Sequence, residues 1–150
     1  MQKKDDNNER QLVQQASNSS IGGLFTHVAK QNPNSVAIIY ENQKINYRDL
    51  DIRVNTLANA LINKGIKIGD RIALISKNSI KCIELELACA KIGGILVTLN
   101  WRLSSLETEH CISLTNPKFI FGSEELIATL NKEIKIEYIT LEKQYEQLFA

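Results

Sequence analysis

Two unbroken apolar runs, Ile72-Ala73-Leu74-Ile75 and Ile95-Leu96-Val97, stand on either side of a broadly apolar helical stretch. A strand with one face in water alternates apolar and polar residues. A continuous run is buried on both faces, which is the signature of a parallel sheet covered by helices. The spacing predicts strands over residues 71–76 and 95–99 and a helix over 78–92. On that helix Ile80, Ile83, Leu87 and Ala90 line one face, and Cys82, Leu85, Cys89 and Ile92 a neighbouring one, so it reads as deeply packed. Gly93-Gly94 ends it. Parallel neighbours need a crossover of this kind, so the pattern commits the chain to an α/β sheet.

The same alternation continues downstream. A helix is expected over 104–115, capped by Ser104 or Ser105, then a strand over 118–121, a short helix over 123–130, a strand over 134–140 and the start of a helix over 141–149. Upstream, Ser20 is placed to cap a helix over 21–31 with Leu24, Phe25 and Val28 inward. Asn32-Pro33-Asn34 ends that helix. Val36 to Tyr40, a turn at Glu41 to Lys44, and Ile45 then read as a β-hairpin. Asn46 caps a long helix with Asp49 at the reciprocal capping position. Its stripe is Tyr47, Leu50, Val54, Leu57, Ala58 and Leu61, and Gly65 stops it. The chain ends inside a helical pattern, so the expectation is an incomplete open, mostly parallel sheet with helices on its faces, preceded by a hairpin. Residues 1–20 read as a polar, disordered lead-in and 21–150 as the structured part.

Composition narrows the function classes. Eighteen Lys and Arg against seventeen Asp and Glu give a net charge of +1, which supplies no positive field for a nucleic acid backbone. No segment approaches the roughly 20 apolar residues of a membrane span. The first twenty residues lack the apolar stretch of a secretory signal and carry acidic residues unsuited to a mitochondrial leader. Three cysteines leave one over from any disulfide set, which fits a reducing compartment. The expected location is the cytoplasm.

Sequences that cradle phosphate (G-x-x-x-x-G-K-[ST] and G-x-G-x-x-G) are absent, as is the G-x-S-x-G nucleophile elbow. Cys82 and Cys89 read as small core residues, and His27 and His110 have no partner that would make either a catalytic base. Parallel sheets bind ligands at the carboxyl ends of their strands. Three loops qualify: Ser76-Lys77-Asn78-Ser79, Asn100-Trp101-Arg102-Leu103-Ser104 and Gly122-Ser123-Glu124. The middle one joins a guanidinium, an indole and a helix N-terminus, a set suited to a phosphate and a stacked ring. Its plain structural reading is that Trp101 covers the sheet end while Arg102 pairs with a surface carboxylate.

These residues also carry a resemblance. INYRDLDIRVNTLANALINKGIKIGDRIALISKNS and ELACAKIGGILVTLNWRLSSLETEH resemble the first two core regions of the AMP-forming acyl-CoA synthetases. These belong to the adenylate-forming superfamily, which also holds luciferases and nonribosomal peptide adenylation domains. The likeness covers about residues 20–140, and the NWRL tetrapeptide favours the acyl-CoA ligase branch. Three positions depart: Thr98 and Lys77 stand where proline is common, and Asn46 where threonine or serine is usual.

The resemblance implies the first part of the family's large N-terminal domain, in an enzyme that joins a carboxylate to ATP and passes the acyl group to coenzyme A. Full-length members use ATP, magnesium and coenzyme A. Their Thr/Ser/Gly-rich phosphate loop, magnesium-binding glutamate, ribose-binding aspartate and adenylation lysine lie downstream of the region matched here. The chain alone is therefore expected to have no catalytic residue, no metal site, no cofactor and no activity. The one site residue implied is Arg102, which matches an arginine that in some members contacts the nucleotide part of coenzyme A. Two readings stand: a truncated or split acid–CoA ligase whose partner is a separately encoded remainder, or a non-catalytic protein-, CoA- or acyl-binding module on the retained fold. An incomplete sheet adds the expectation of self-association. A flavodoxin-like mononucleotide-binding domain fits less well, because no phosphate loop follows the first parallel strand.

Overall fold

A computed structural model of the chain describes residues 19–131 and 134–149. The lead-in expected over 1–20 lies almost wholly outside the described residues. The elements are α1 (Ile21–Gln31), β1 (Val36–Tyr40), β2 (Gln43–Asn46), α2 (Tyr47–Asn63), β3 (Arg71–Ile75), α3 (Ile80–Ile92), β4 (Ile95–Leu99), α4 (Ser105–Thr115), β5 (Phe119–Gly122), α5 (Glu124–Ile127), β6 (Glu137–Thr140) and a closing 3-10 helix, Tyr145–Phe149. β1 and β2 form an antiparallel hairpin. The other four strands form one sheet in the order β4-β3-β5-β6, every neighbouring pair parallel.

The consecutive apolar run of β3 divides between the two faces of the sheet. Ile72 and Leu74 pack with Leu57, Leu61, Leu85, Phe119 and Phe121 under α2 and α3. Ala73 and Ile75 pack with Ile120, Ile112 and Leu130 on the α4 side. Burying each large aliphatic side chain fully contributes about 1.5–3 kcal/mol before chain entropy is counted.

The amino ends of the strands are stitched together. Ile95 N–H donates to Asp70 O (2.8 Å), Lys118 N–H to Arg71 O (2.8 Å) and Gly69 N–H to Gly93 O (2.8 Å). The Lys118 ammonium meets Asp70 at 2.7 Å, and the Arg71 guanidinium donates to Thr115 O. Lys118, followed by the backbone N–H of Lys67, holds the Asp70 carboxyl below its ordinary range.

Helix ends follow the capping residues. Gly23 N–H donates to Ser20 Oγ at 3.0 Å, and Asp49 N–H to Asn46 Oδ1 at 2.8 Å. The return arm at Asn46 is its side-chain amide donating to Asp49 Oδ2 (2.9 Å), instead of a bond to its own backbone. Ser104 makes the full reciprocal box with Glu107. Gly65 and Gly93 adopt φ of 89° and 71°, the left-handed turn that stops α2 and α3.

Ser104→Ala is expected to cost about 1 kcal/mol in urea unfolding at neutral pH. Ser104 holds the Glu107 carboxyl below its ordinary range, so the bond from its hydroxyl to that carboxylate is favourable above the unfolded carboxylate pKa and is lost as pH falls through the lower folded value. The bond from Glu107 N–H to Ser104 Oγ does not titrate. The difference between variant and parent should therefore shrink in part in acid; a gap unchanged down to pH 2 would contradict the carboxylate arm of the box.

Several boundaries and faces differ from expectation. Leu24 points to solvent, 57% exposed, because Gly22 and Ala29 form the face of α1 that approaches the core. On α3 the buried residues are Glu84, Leu85, Ala88 and Cys89, while Ile83 is exposed. β2 begins at Gln43, so the hairpin turn is only Glu41-Asn42, with Glu41 at φ 52°. β4 is half-exposed instead of fully buried, because it is an edge strand among the described residues. The helix expected over 123–130 is the single turn Glu124–Ile127, and the strand expected over 134–140 is Glu137–Thr140. The last segment forms turns and a 3-10 helix where an α-helix was expected.

Candidate ligand-binding end of the sheet

Because the strands are parallel, the three loops singled out from the sequence emerge at the same end of the sheet. The strand order makes this a switch point: the chain leaves β3 toward β4 on one side and returns through β5 on the other. Crevices form at such points, outside the strand carboxyl ends. Gly122 sits there, and a Cβ on it would lie 2.8 Å from Ile75 O. Ser123 N–H donates to that same carbonyl at 3.2 Å.

The loop after β4 is pinned by Asn100, whose Oδ1 accepts the Arg102 N–H at 3.0 Å, while its carbonyl accepts from Leu103 N–H at 3.1 Å. Trp101 is half-buried against the cluster under α4. The Arg102 guanidinium lies 4.1 Å from the indole centroid, and the Lys77 ammonium from the loop after β3 lies 5.2 Å from it. Trp101 thus covers the sheet end as its structural reading expects. Arg102 stacks on the ring and, among the described residues, forms no ion pair with a carboxylate.

Beside these loops a cleft of about 250 Å³ opens between the hairpin, the start of α3 and the segment after β6, lined by Tyr40, Ser76, Ser79, Lys81 and Glu142 among others. Tyr40 OH, from the hairpin, donates to Asn78 O at 3.1 Å. A second cleft of about 370 Å³ shares Gln43, Ile80 and Lys81 with the first and reaches Arg53 and Glu84. Glu84 is fully buried. It accepts from the Arg53 guanidinium, by Nε and by Nη2 at 3.2 Å, and from Tyr145 OH at 2.8 Å. Arg53 also reaches Glu146 at 3.1 Å.

The hydrogen bond to Glu84 raises the Arg53 pKa further. Burial first, then Glu84, raises that of the Tyr145 phenol. This cluster fastens the last residues to α2 and α3. It was missed in the sequence, although two glutamates, Glu84 and Glu86, inside the apolar IELELACA stretch are the kind of signal that marks a buried partner, here Glu84.

The residues set aside as non-catalytic occupy ordinary positions. Cys89 is buried, which pushes its thiol up to about 12. Cys82 is half-buried with Sγ 3.3 Å from Ser79 Oγ, so it is less enclosed than expected. His27 and His110 are exposed. Among the described residues no three or more His, Cys, Asp or Glu gather as a metal site, and no helix is long and apolar enough to cross a membrane.

Sheet order and loop placement define an open α/β fold whose candidate site lies at its strand carboxyl ends. The chain belongs to the AMP-binding enzyme family, which matches over residues 25–148, a family of AMP-binding acid and acyl-CoA ligases. It is 32% identical over 104 residues to the fatty acid–[acyl-carrier-protein] ligase ScoC of Streptomyces coeruleorubidus, covering 69% of this chain and 20% of that protein. It is 28% identical over 113 residues to a feruloyl-CoA synthase of an Amycolatopsis species, covering 75% and 23% respectively. The chain therefore spans about a fifth to a quarter of the length of these relatives. In three dimensions it is similar to the N-terminal subdomain of Klebsiella oxytoca NpsA in complex with 3-hydroxyanthranilyl-AMSN. The TM-score is 0.76 and the identity 21%, over 87% of this chain and 32% of that one. The match bears out the expected architecture: the leading part of the adenylate-forming large N-terminal domain.

Proposed function

We propose that residues 21–150 are the N-terminal portion of the ligase domain of an ATP-dependent acid–CoA ligase. Such an enzyme joins a carboxylate to AMP with release of pyrophosphate, then transfers the acyl group to the coenzyme A thiol with release of AMP. The observation that carries the coenzyme A part of this reading is Arg102. Its backbone is pinned by Asn100, its guanidinium rests on Trp101, and among the described residues it makes no ion pair with a carboxylate. A planar cation held this way at a switch point is ready to receive a phosphate.

ATP and magnesium are the family's other reagents, but these 150 residues hold neither a glycine-rich phosphate loop nor, among the described ones, a carboxylate group fit for the metal. The chain's own contribution is then to bind and orient, and it has no ligase activity by itself. The working partner is the remainder of the ligase. It would cover the outer edge of β4 and the exposed Leu106 and Leu114 of α4, or a second copy would do so in its absence. A cytoplasmic location suits this role.

The chain with acid, ATP and coenzyme A should release no AMP, and adding the remainder of the ligase should restore acid-dependent release. Coenzyme A binding by calorimetry should weaken about tenfold in Arg102→Ala, the loss of one charge-assisted contact. An unchanged affinity would remove Arg102 from the site. Coenzyme A binding without AMP release, even with the remainder present, would favour the non-catalytic binding module.

A further inference from the structure

Lys77 is the second cation on the Trp101 indole, and it comes from a different loop. Its ammonium and the Arg102 guanidinium lie 5.2 and 4.1 Å from one ring centroid. Lys77 is exposed, and no carboxylate of the described residues forms an ion pair with either group. Other cations of the described fold that reach across to a neighbouring element are paired, Lys91 with Asp51 at 2.6 Å, Lys64 with Glu137 at 2.7 Å and Lys118 with Asp70 at 2.7 Å among them. The two cations lean on one indole from the loops that follow neighbouring parallel strands. An arriving anion would gain charge-assisted contacts from both.

We propose that Lys77 and Arg102 form a two-cation clamp, based on Trp101, for a phosphate of the nucleotide part of coenzyme A. This rests on the reading of Arg102 given above and adds Lys77 as a positioning charge from the β3 loop. Arg102 supplies the planar, directional contact. Lys77 supplies a point charge on a flexible stem, which tunes affinity and makes it sensitive to salt.

Trp101 is the only tryptophan, so its fluorescence reads this site directly in the full chain. Coenzyme A should change it saturably. Lys77→Met keeps an apolar stem on the ring and removes the charge. It should weaken coenzyme A binding about three- to fivefold, the range of an exposed ion pair, with a shallower salt dependence, and Lys77→Arg should restore both. Lys77 lies at the surface, and circular dichroism of each variant checks the fold. If Lys77→Met binds like the parent while Arg102→Ala binds weakly, Lys77 is no part of the clamp and the proposed function stands. If the parent shows no saturable response to coenzyme A, the clamp and the reading beneath it both fall.

Discussion

Arg53→Met should lower the stability of the chain by about 3 kcal/mol, the low end of the cost of stranding a buried charge, because the Arg53 side of the pair is a third exposed. Glu84 is fully buried on α3, and after the substitution only Tyr145 OH, at 2.8 Å, would bond its carboxylate. Glu146, which Arg53 also holds at 3.1 Å, would lose its tie to α2, and the 3-10 helix would loosen with it. The guanidinium also stacks 4.3 Å from the Phe149 centroid.

Urea unfolding followed by circular dichroism measures the loss. The double variant Arg53→Met with Glu84→Leu should recover most of it, since it removes the stranded charge along with its partner. A single variant within 1 kcal/mol of the parent would show that the carboxylate is solvated or otherwise balanced. The same cluster gives an alkaline limit. Burial raises the Tyr145 phenol above its ordinary value of 10.0. The folded state therefore favours the neutral phenol, and stability falls as pH rises past the unfolded value toward the higher folded one.

Gly22→Ala should be the next most costly, at about 2 kcal/mol. A Cβ at this position would lie 2.7 Å from Lys91 Cα and 2.8 Å from Lys91 N. Backbone atoms cannot swing aside, so α1 must draw back from α3. Overpacking of this kind costs about 1–3 kcal/mol, more than the helix propensity that alanine gains over glycine. The retreat would also disturb Lys91, which bridges Asp51 at 2.6 Å and Asn55 at 2.7 Å. Gly23→Ala is the control. Its Cβ would meet only Ser20 Oγ, at 3.1 Å, so it should change stability by less than about 0.5 kcal/mol. Thermal melts of the two variants decide the matter, and equal melting temperatures would contradict the close approach.

The central elements were legible because local signals agreed with tertiary need. The unbroken run in β3, the stripe of α2, the caps at Ser20, Asn46 and Ser104 and the stops at Gly65 and Gly93 all lie where the pattern puts them. The misreadings share a cause: which face of an apolar helix turns inward depends on its neighbours. Leu24 lost its place to Gly22, because closeness between α1 and α3 favours the smallest residue. Ile83 lost its place to Glu84, because Arg53 and Tyr145 converge on that side. No periodicity within one helix encodes a partner 31 or 61 residues away. At the candidate site the three loops could be named from the alternation of strands and helices, whereas Arg102 was singled out by the family resemblance. The convergence of Lys77 on Trp101 needed the spatial adjacency of β3 and β4.

The two ends of the parallel sheet carry different burdens. At the amino ends, backbone bonds, the Lys118–Asp70 pair and the Arg71 tether hold the strands in register. At the carboxyl ends, the loops carrying Lys77 and Arg102 are exposed. Mutational tolerance is therefore partitioned along the strand axis. Changes at the stitched end bear directly on folding, whereas changes at the open end act on exposed loops that the sheet does not need for its register. Lys77 lies at that open end, where a substitution alters an exposed loop and leaves the stitched scaffold in place.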